Sequence, residues 1–134
     1  MDNRKLDALI RSSSEVLEGR LGAWGLRFKG EEFLVLSDEA HDRMRIMSPV
    51  AEETTLSDRD RRAALAANFD RALDARYAVS GGKLWAVYLH PLGELTEPQF
   101  LDALEQTHRL KANYGTTYAS SELIFQGGGP PLAD

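Results

Sequence analysis

The sequence predicts an α+β domain: an antiparallel sheet of about five strands with three helices, in the order α-β-β-β-α-β-β-α. Three observations lead there. Apolar residues recur at helical spacing in three segments, each with a start or stop signal of its own. Other segments alternate apolar and polar side chains with the period of two that a half-buried strand requires. Short turns, several bearing glycine, join those strands, so they form hairpins instead of the βαβ alternation of a parallel sheet.

Leu6, Leu9, Ile10, Val16 and Leu17 lie near helical spacing with Ser13 on the same stripe, while Arg4, Asp7, Arg11 and Glu18 fall away from it. This predicts an amphipathic first helix, closed by Gly19 and Gly22, since glycine accepts the left-handed angles of helix ends. Trp24, Leu26 and Phe28 then alternate with Gly25, Arg27 and Lys29 as a first strand, and Lys29-Gly30-Glu31 turns the chain. Phe33-Leu34-Val35-Leu36 forms a second strand, and after the polar stretch 37–42 the run Arg43-Met44-Arg45-Ile46-Met47 forms a third.

A polar connection over 48–56, containing Pro49, leads to Ser57 as the cap of a second helix over 58 to about 73. Leu65, Phe69 and Leu73 are its apolar stripe, and Ala63, Ala64, Ala66, Ala67 and Ala72 keep it narrow. Arg59, Arg61, Arg62, Arg71 and Arg76 interleave with Asp58, Asp60, Asp70 and Asp74, which predicts a solvated, self-neutralised face. Tyr77 and Val79, the turn Ser80-Gly81-Gly82-Lys83 and the run Leu84-Trp85-Ala86-Val87-Tyr88-Leu89 make a hairpin that Pro91 ends. Thr96 caps a third helix, with Gln99 at the reciprocal capping-box position and Pro98 in the first turn; Gly115 stops it. Tyr118 and Leu123-Ile124-Phe125 add a last short strand or pack as an arm. Residues 1–125 are thus one domain, and the glycine- and proline-rich stretch 126–134 is expected to be a disordered tail.

At 134 residues the chain can bury one sizeable core. Its net charge of −5 repels phosphate backbones, so nucleic acid is not an expected partner. The absence of cysteine excludes disulfides, thiolate metal sites and a cysteine nucleophile. No stretch approaches the ~20 apolar residues that span a bilayer, and the amino terminus gives no secretory signal, so a cytoplasmic protein without membrane contact is expected.

Catalytic and metal constellations are missing. His41, His90 and His108 have no metal-ligand spacing among themselves, and Asp38-Glu39-Ala40-His41-Asp42 reads as a solvated turn. No G-x-S-x-G elbow accompanies the serines, and Gly127-Gly128-Gly129 runs into Pro130-Pro131 instead of a helix amino terminus. No cofactor, metal or catalytic residue is assigned, and the chain is expected not to be an enzyme. The rival expectation is a small ligand-binding or enzymatic domain with a site near His90, Tyr88 and Tyr118.

The strand pattern itself bears on function. The runs 33–36 and 84–89 are apolar at both parities, whereas a strand with one face in water shows polar residues at alternate positions. Either helices cover both faces of the sheet, or one face meets a second protein chain. Arg27, Lys29, Arg43 and Arg45 indicate that the first and third strands are wet on one side.

The run Leu84-Trp85-Ala86-Val87-Tyr88-Leu89-His90-Pro91-Leu92, followed by Leu95-Thr96-Glu97-Pro98-Gln99-Phe100 and by Tyr114-Gly115-Thr116-Thr117-Tyr118, resembles the YbjN family. These are bacterial proteins whose fold is similar to that of the type III secretion chaperones, including the CesT-like group. The matching positions are turn, cap and core residues, which carry fold more than activity. The resemblance implies a secretion-chaperone-like fold and a homodimer that binds an extended segment of a client protein, or a regulator of signalling or motility. The expectation is therefore non-covalent capture of a protein client, by strand addition at a sheet edge or in an apolar groove, with Leu65, Phe69, Trp85, Val87 and Leu89 as contact residues.

Overall fold

A computed structural model of the protein describes residues 1–116 and 118–121. Along the chain run α1 (Asn3–Ser13), β1 (Glu15–Arg20), β2 (Ala23–Phe28), β3 (Glu31–Asp38), β4 (Arg43–Glu52), α2 (Asp58–Asp70), β5 (Arg76–Ser80), β6 (Lys83–His90) and α3 (Glu97–Ala112). The sheet has six strands in the order β1-β2-β3-β4-β6-β5, every neighbouring pair antiparallel. The predicted α+β class holds, with one strand more than expected.

The extra strand comes from the segment read as the end of the first helix. The hydroxyls of Ser12 and Ser13 donate to the carbonyl of Leu9, and that of Ser14 to Ile10, at 2.7 to 2.9 Å. Three successive serines thus compete for the last turn's carbonyls, and Ser14 leaves the helix in extended conformation. Val16 and Leu17 belong to β1, where an irregularity between Val16 and Glu18 gives the strand one residue more than its partner. The glycines have other duties than closing a helix. Gly22, at φ +98°, turns β1 into β2, and a Cβ on Gly19 would lie 3.0 Å from the Trp24 ring.

β4 also outruns its prediction, continuing through Pro49 to Glu52, with a register shift between Pro49 and Ala51. A proline that cannot donate to the ladder is tolerated at such a bulge. The remaining signals hold. Gly81 and Gly82 take φ +57° and +78° between β5 and β6, and Ser57 and Thr96 form complete capping boxes with Asp60 and Gln99.

In each central strand a single parity is buried, and the register aligns the buried set: Trp24, Val35, Ile46 and Tyr88 stand in one row across β2, β3, β4 and β6. Leu6 and Ile10 of α1, and Phe100, Leu104 and Leu110 of α3, pack into the same cluster. α3 lies over β4 and β6, α1 beside β1 and α2 beside β5, so all three helices cover one side of the sheet.

The second helix meets this layer through its small residues. Ala63, Ala64 and Ala67 are buried, while Leu65 is 71% and Phe69 75% exposed. Leu65 and Phe69, expected among the contact residues, face outward, and the alanines, which let α2 approach β5 closely, form its packing face. Gln106 of α3, buried, accepts from the backbone N–H groups of Asp74 and Ala75 and donates to Asp74 and Asp102, tying α3 to the α2–β5 connection. Tyr118 is buried, its ring edge-on to Tyr77 and Tyr114 at 6.0 and 5.4 Å. The run Leu123-Ile124-Phe125 and the expected tail 126–134 lie outside the described residues.

Candidate functional site

The side of the sheet away from the helices has no cover from the described residues. Because side chains alternate across a strand, the second apolar set of each doubly apolar run emerges there. Register makes it continuous. Gly25, Leu34, Met47 and Val87 form one row across β2, β3, β4 and β6; Ala23, Leu36, Arg45 and Leu89 form the next; Pro49 and Trp85 pair beyond the first. Leu34 is 42%, Leu36 39% and Leu89 56% exposed. Three shallow cavities lie along this face. The first, of about 390 Å³, runs between Leu17, Leu34, Pro49 and Trp85; the second, of about 290 Å³, between Arg20, Ala23 and Leu36; the third, of about 430 Å³, between Leu36, Arg45 and Leu89.

Trp85 is fixed in place by its indole N–H, which donates to the Ser80 carbonyl at 2.9 Å. Leu17, brought to the same face by the β1 irregularity, is 43% exposed and faces the groove that Trp85 closes. A contiguous apolar surface of this kind, rimmed by charged residues, marks an interaction site. Its chemistry is that of non-covalent burial, since its side chains are leucine, methionine, valine, proline and tryptophan.

A second exposed apolar surface lies on the opposite layer. Leu65 of α2 and Val79 of β5 flank a groove of about 260 Å³ whose floor is Leu56, Ala64, Tyr77 and Leu84. The five contact residues expected from sequence therefore divide. Trp85, Val87 and Leu89 share the open face of the sheet, whereas Leu65 and Phe69 stand on the outer surface of α2.

The sheet edge at β5 is partly occupied. Asn68 of α2 accepts from the Tyr77 backbone N–H at 2.8 Å and donates to the Tyr77 carbonyl at 3.1 Å. One amide side chain thus imitates a neighbouring strand near the start of β5, which limits strand addition there. Sequence reading overlooked this residue; an Asn inside an alanine-rich helix, close before a strand, was its signal.

The residues of the rival site are set in different surroundings. The Nδ1 of His90 engages the Pro91 carbonyl at 2.7 Å. Tyr88 faces the core, and burial first, then the Asp74 and Asp102 carboxylates, push its phenol above the ordinary range. Tyr118 joins the Tyr77–Tyr114 aromatic cluster, where burial pushes the Tyr77 phenol strongly upward. His41 binds the Asp38 carboxylate through Nδ1 at 2.7 Å in an exposed turn, and His108 stacks edge-on to Phe28 at 6.1 Å. Among the described residues no group of three or more acidic or histidine side chains is placed to hold a metal ion. Among them, too, no helix is long and apolar enough to cross a membrane.

No family model matches the chain, and no curated protein matches it. Solved structures do. A chain of the HopA1–SchA chaperone–effector complex superposes with a TM-score of 0.63 at 13% identity, covering 81% of this chain and 88% of that one. A chain of the ExsC–ExsE complex gives 0.62 at 17% identity, covering 83% and 92%. The Yersinia pestis type III secretion chaperone SycH, in complex with a stable fragment of YscM2, gives 0.63 at 11% identity, covering 84% and 98%. At these identities the likeness is one of fold: the chain has the architecture of the type III secretion chaperones.

Proposed function

We propose that this chain is a non-catalytic protein-binding domain, chaperone-like or regulatory, that works as a homodimer and captures an extended segment of a client protein. The observation that carries the reading is the apolar face of the sheet that the described residues leave uncovered, with all three helices on its other side. Fully burying a leucine contributes about 1.5–3 kcal/mol, so covering each half-exposed leucine of this face contributes about 1 kcal/mol. Several such contacts must act together, because association itself costs on the order of 4–15 kcal/mol. A continuous face supplies them.

The similar structures lend support of a second kind, since two are described as a chaperone–effector complex and as a secretion chaperone with a fragment of another protein. The resemblance to YbjN proteins and a bacterial, cytoplasmic setting belong to the same reading. The open face is the client surface, and the outer surface of α2, with Leu65 and Phe69, is where two copies meet. Capture on the face is favoured over strand addition at β5 because Asn68 already occupies the start of that edge.

The test is purification from the native cell, comparing the natural chain with a Leu36→Asp, Leu89→Asp variant whose circular dichroism is unchanged. The reading expects a co-purifying protein that the variant loses. Equal recovery by both chains overturns it.

A further inference from the structure

The open face is electrically polarised along its strands. At the end where β3 and β6 finish and β4 begins, Arg20, Arg43 and Arg45 are exposed. Cross-strand pairing seats Arg45 directly between Leu36 and Leu89, and Arg20 opposite Ala23 in the same row. Among the described residues none of these three arginines enters an ion pair. The carboxylate opposite Arg43 is Asp38, which takes the His41 ring at 2.7 Å and the His41 backbone N–H at 3.1 Å.

The other end is different. Arg27 pairs there with Glu15 at 3.2 Å and Glu32 at 3.8 Å, and Lys83 pairs with Glu52 at 3.5 Å. The cations of that end are thus neutralised within the fold and acid is in excess. Glu18, opposite Gly25, stands in the middle row of the face, between the two ends. At the arginine end the other carboxylates of the adjoining turn, Glu39 and Asp42, accept from the backbone N–H groups of Asn3 and Gly93, which leaves the arginines, set among leucines and without ion pairs, as the open cations of that part of the face.

We propose that the open face selects an acidic-ended apolar segment: an extended stretch of a client whose inward side chains are apolar and then, at the same parity, carboxylate. This rests on the open-face reading above and adds the client's chemistry to it. Along a strand, side chains on one face recur every ~7 Å. A segment lying along β4 and β6 therefore places one inward side chain near Trp85, the next over the Met47–Val87 row and a third beside Leu89 and Arg45. The following one reaches Arg43. The first positions call for leucine-like side chains and the last for carboxylates, which guanidinium groups bind with paired N–H donors. A free anion or a phosphate backbone would leave the leucines uncovered.

The test uses the full chain and two short fluorescein-labelled peptides, each with leucines at alternate positions. One continues at the same parity with a pair of aspartates, the other with a pair of lysines. Anisotropy titrations of the natural chain are expected to favour the aspartate peptide by about threefold to tenfold, the range of two exposed ion pairs, with the preference shrinking as salt is added. An Arg43→Glu, Arg45→Glu variant is expected to reverse the preference, and light scattering of it to leave the oligomeric state unchanged. Equal binding of both peptides to the natural chain, with both weakened by Leu89→Asp, overturns the acidic selection and leaves the open-face reading standing. Binding that Leu89→Asp does not weaken, or no binding at all, defeats both. Should the double variant change oligomeric state while peptide preference stays fixed, a second copy occupies this end and the proposal falls.

Discussion

Ala64 and Leu65 are neighbours in α2 but differ in burial: Ala64 is 5% exposed against the sheet layer, Leu65 71% exposed to the outside. Small residues seat this helix, and the large ones are left for something else. In the proposed dimer, Leu65 and Phe69 meet a second copy of the chain.

The first prediction separates those roles. Leu65→Ser with Phe69→Ser leaves thermal stability of the monomer within about 0.5 kcal/mol, since neither side chain is buried within the chain. The same variant shifts the molecule to monomer in light scattering. Ala67→Leu has the opposite profile, overpacking the α2–sheet contact and costing about 1–3 kcal/mol in denaturant unfolding.

Asn68 and Gln106 act by hydrogen bonding to backbone. Replacing Gln106 with leucine removes the acceptor of two N–H groups, those of Asp74 and Ala75, and is expected to cost about 2–4 kcal/mol. Asn68→Ala frees the backbone of Tyr77 on the β5 edge. Its expected signature, besides about 1–2 kcal/mol of lost stability, is faster hydrogen exchange at the Tyr77 amide.

Acid stability follows from carboxylates held below their ordinary range. The Trp24 indole N–H, donating at 2.9 Å, and then Arg11 lower the pKa of Asp7 from 3.8; the Lys5 backbone N–H does the same for Asp2, the His41 side chain for Asp38 and the Ser57 backbone N–H for Asp60. A carboxyl whose folded pKa is depressed stabilises the fold above its unfolded pKa, and that contribution is lost as pH falls through the folded value. Stability is therefore expected to fall as pH drops below about 4. Asp7→Asn should flatten part of that slope, as read by urea midpoints at successive pH values.

His90→Ala is expected to leave both the fold and client capture unchanged, since its ring meets the carbonyl of its own neighbour, Pro91. Loss of capture in that variant, with circular dichroism preserved, would restore the rival site.

Where sequence patterns matched structure, one residue type left few choices. Gly81 and Gly82 suit the positive angles of a two-residue hairpin turn, and Thr96 with Gln99 can close a capping box only at a helix start. The doubly apolar runs located the open face, because Leu34, Leu36, Val87 and Leu89 had no polar alternates to give the face to water. Patterns misled where two periods coincide. Val16 and Leu17 fit a helical stripe and a strand equally well, and the carbonyl-seeking serines before them decided for the strand. On α2 the sequence offers both an apolar stripe and alanines that permit close approach, and only burial tells that the alanines face the sheet. The buried role of Gln106 depends on the backbone of Asp74 and Ala75, far along the chain, which no local pattern displays.

Whether another polypeptide covers the open side of the sheet is read by side-chain footprinting of the captured complex. Hydroxyl-radical labelling should fall at Leu34, Trp85 and Leu89 when the complex forms, relative to the chain alone, while exposed side chains of α3, such as Leu101, label as before. Unchanged labelling at all three residues, in a complex that demonstrably contains a second protein, would be incompatible with a client seated on this face.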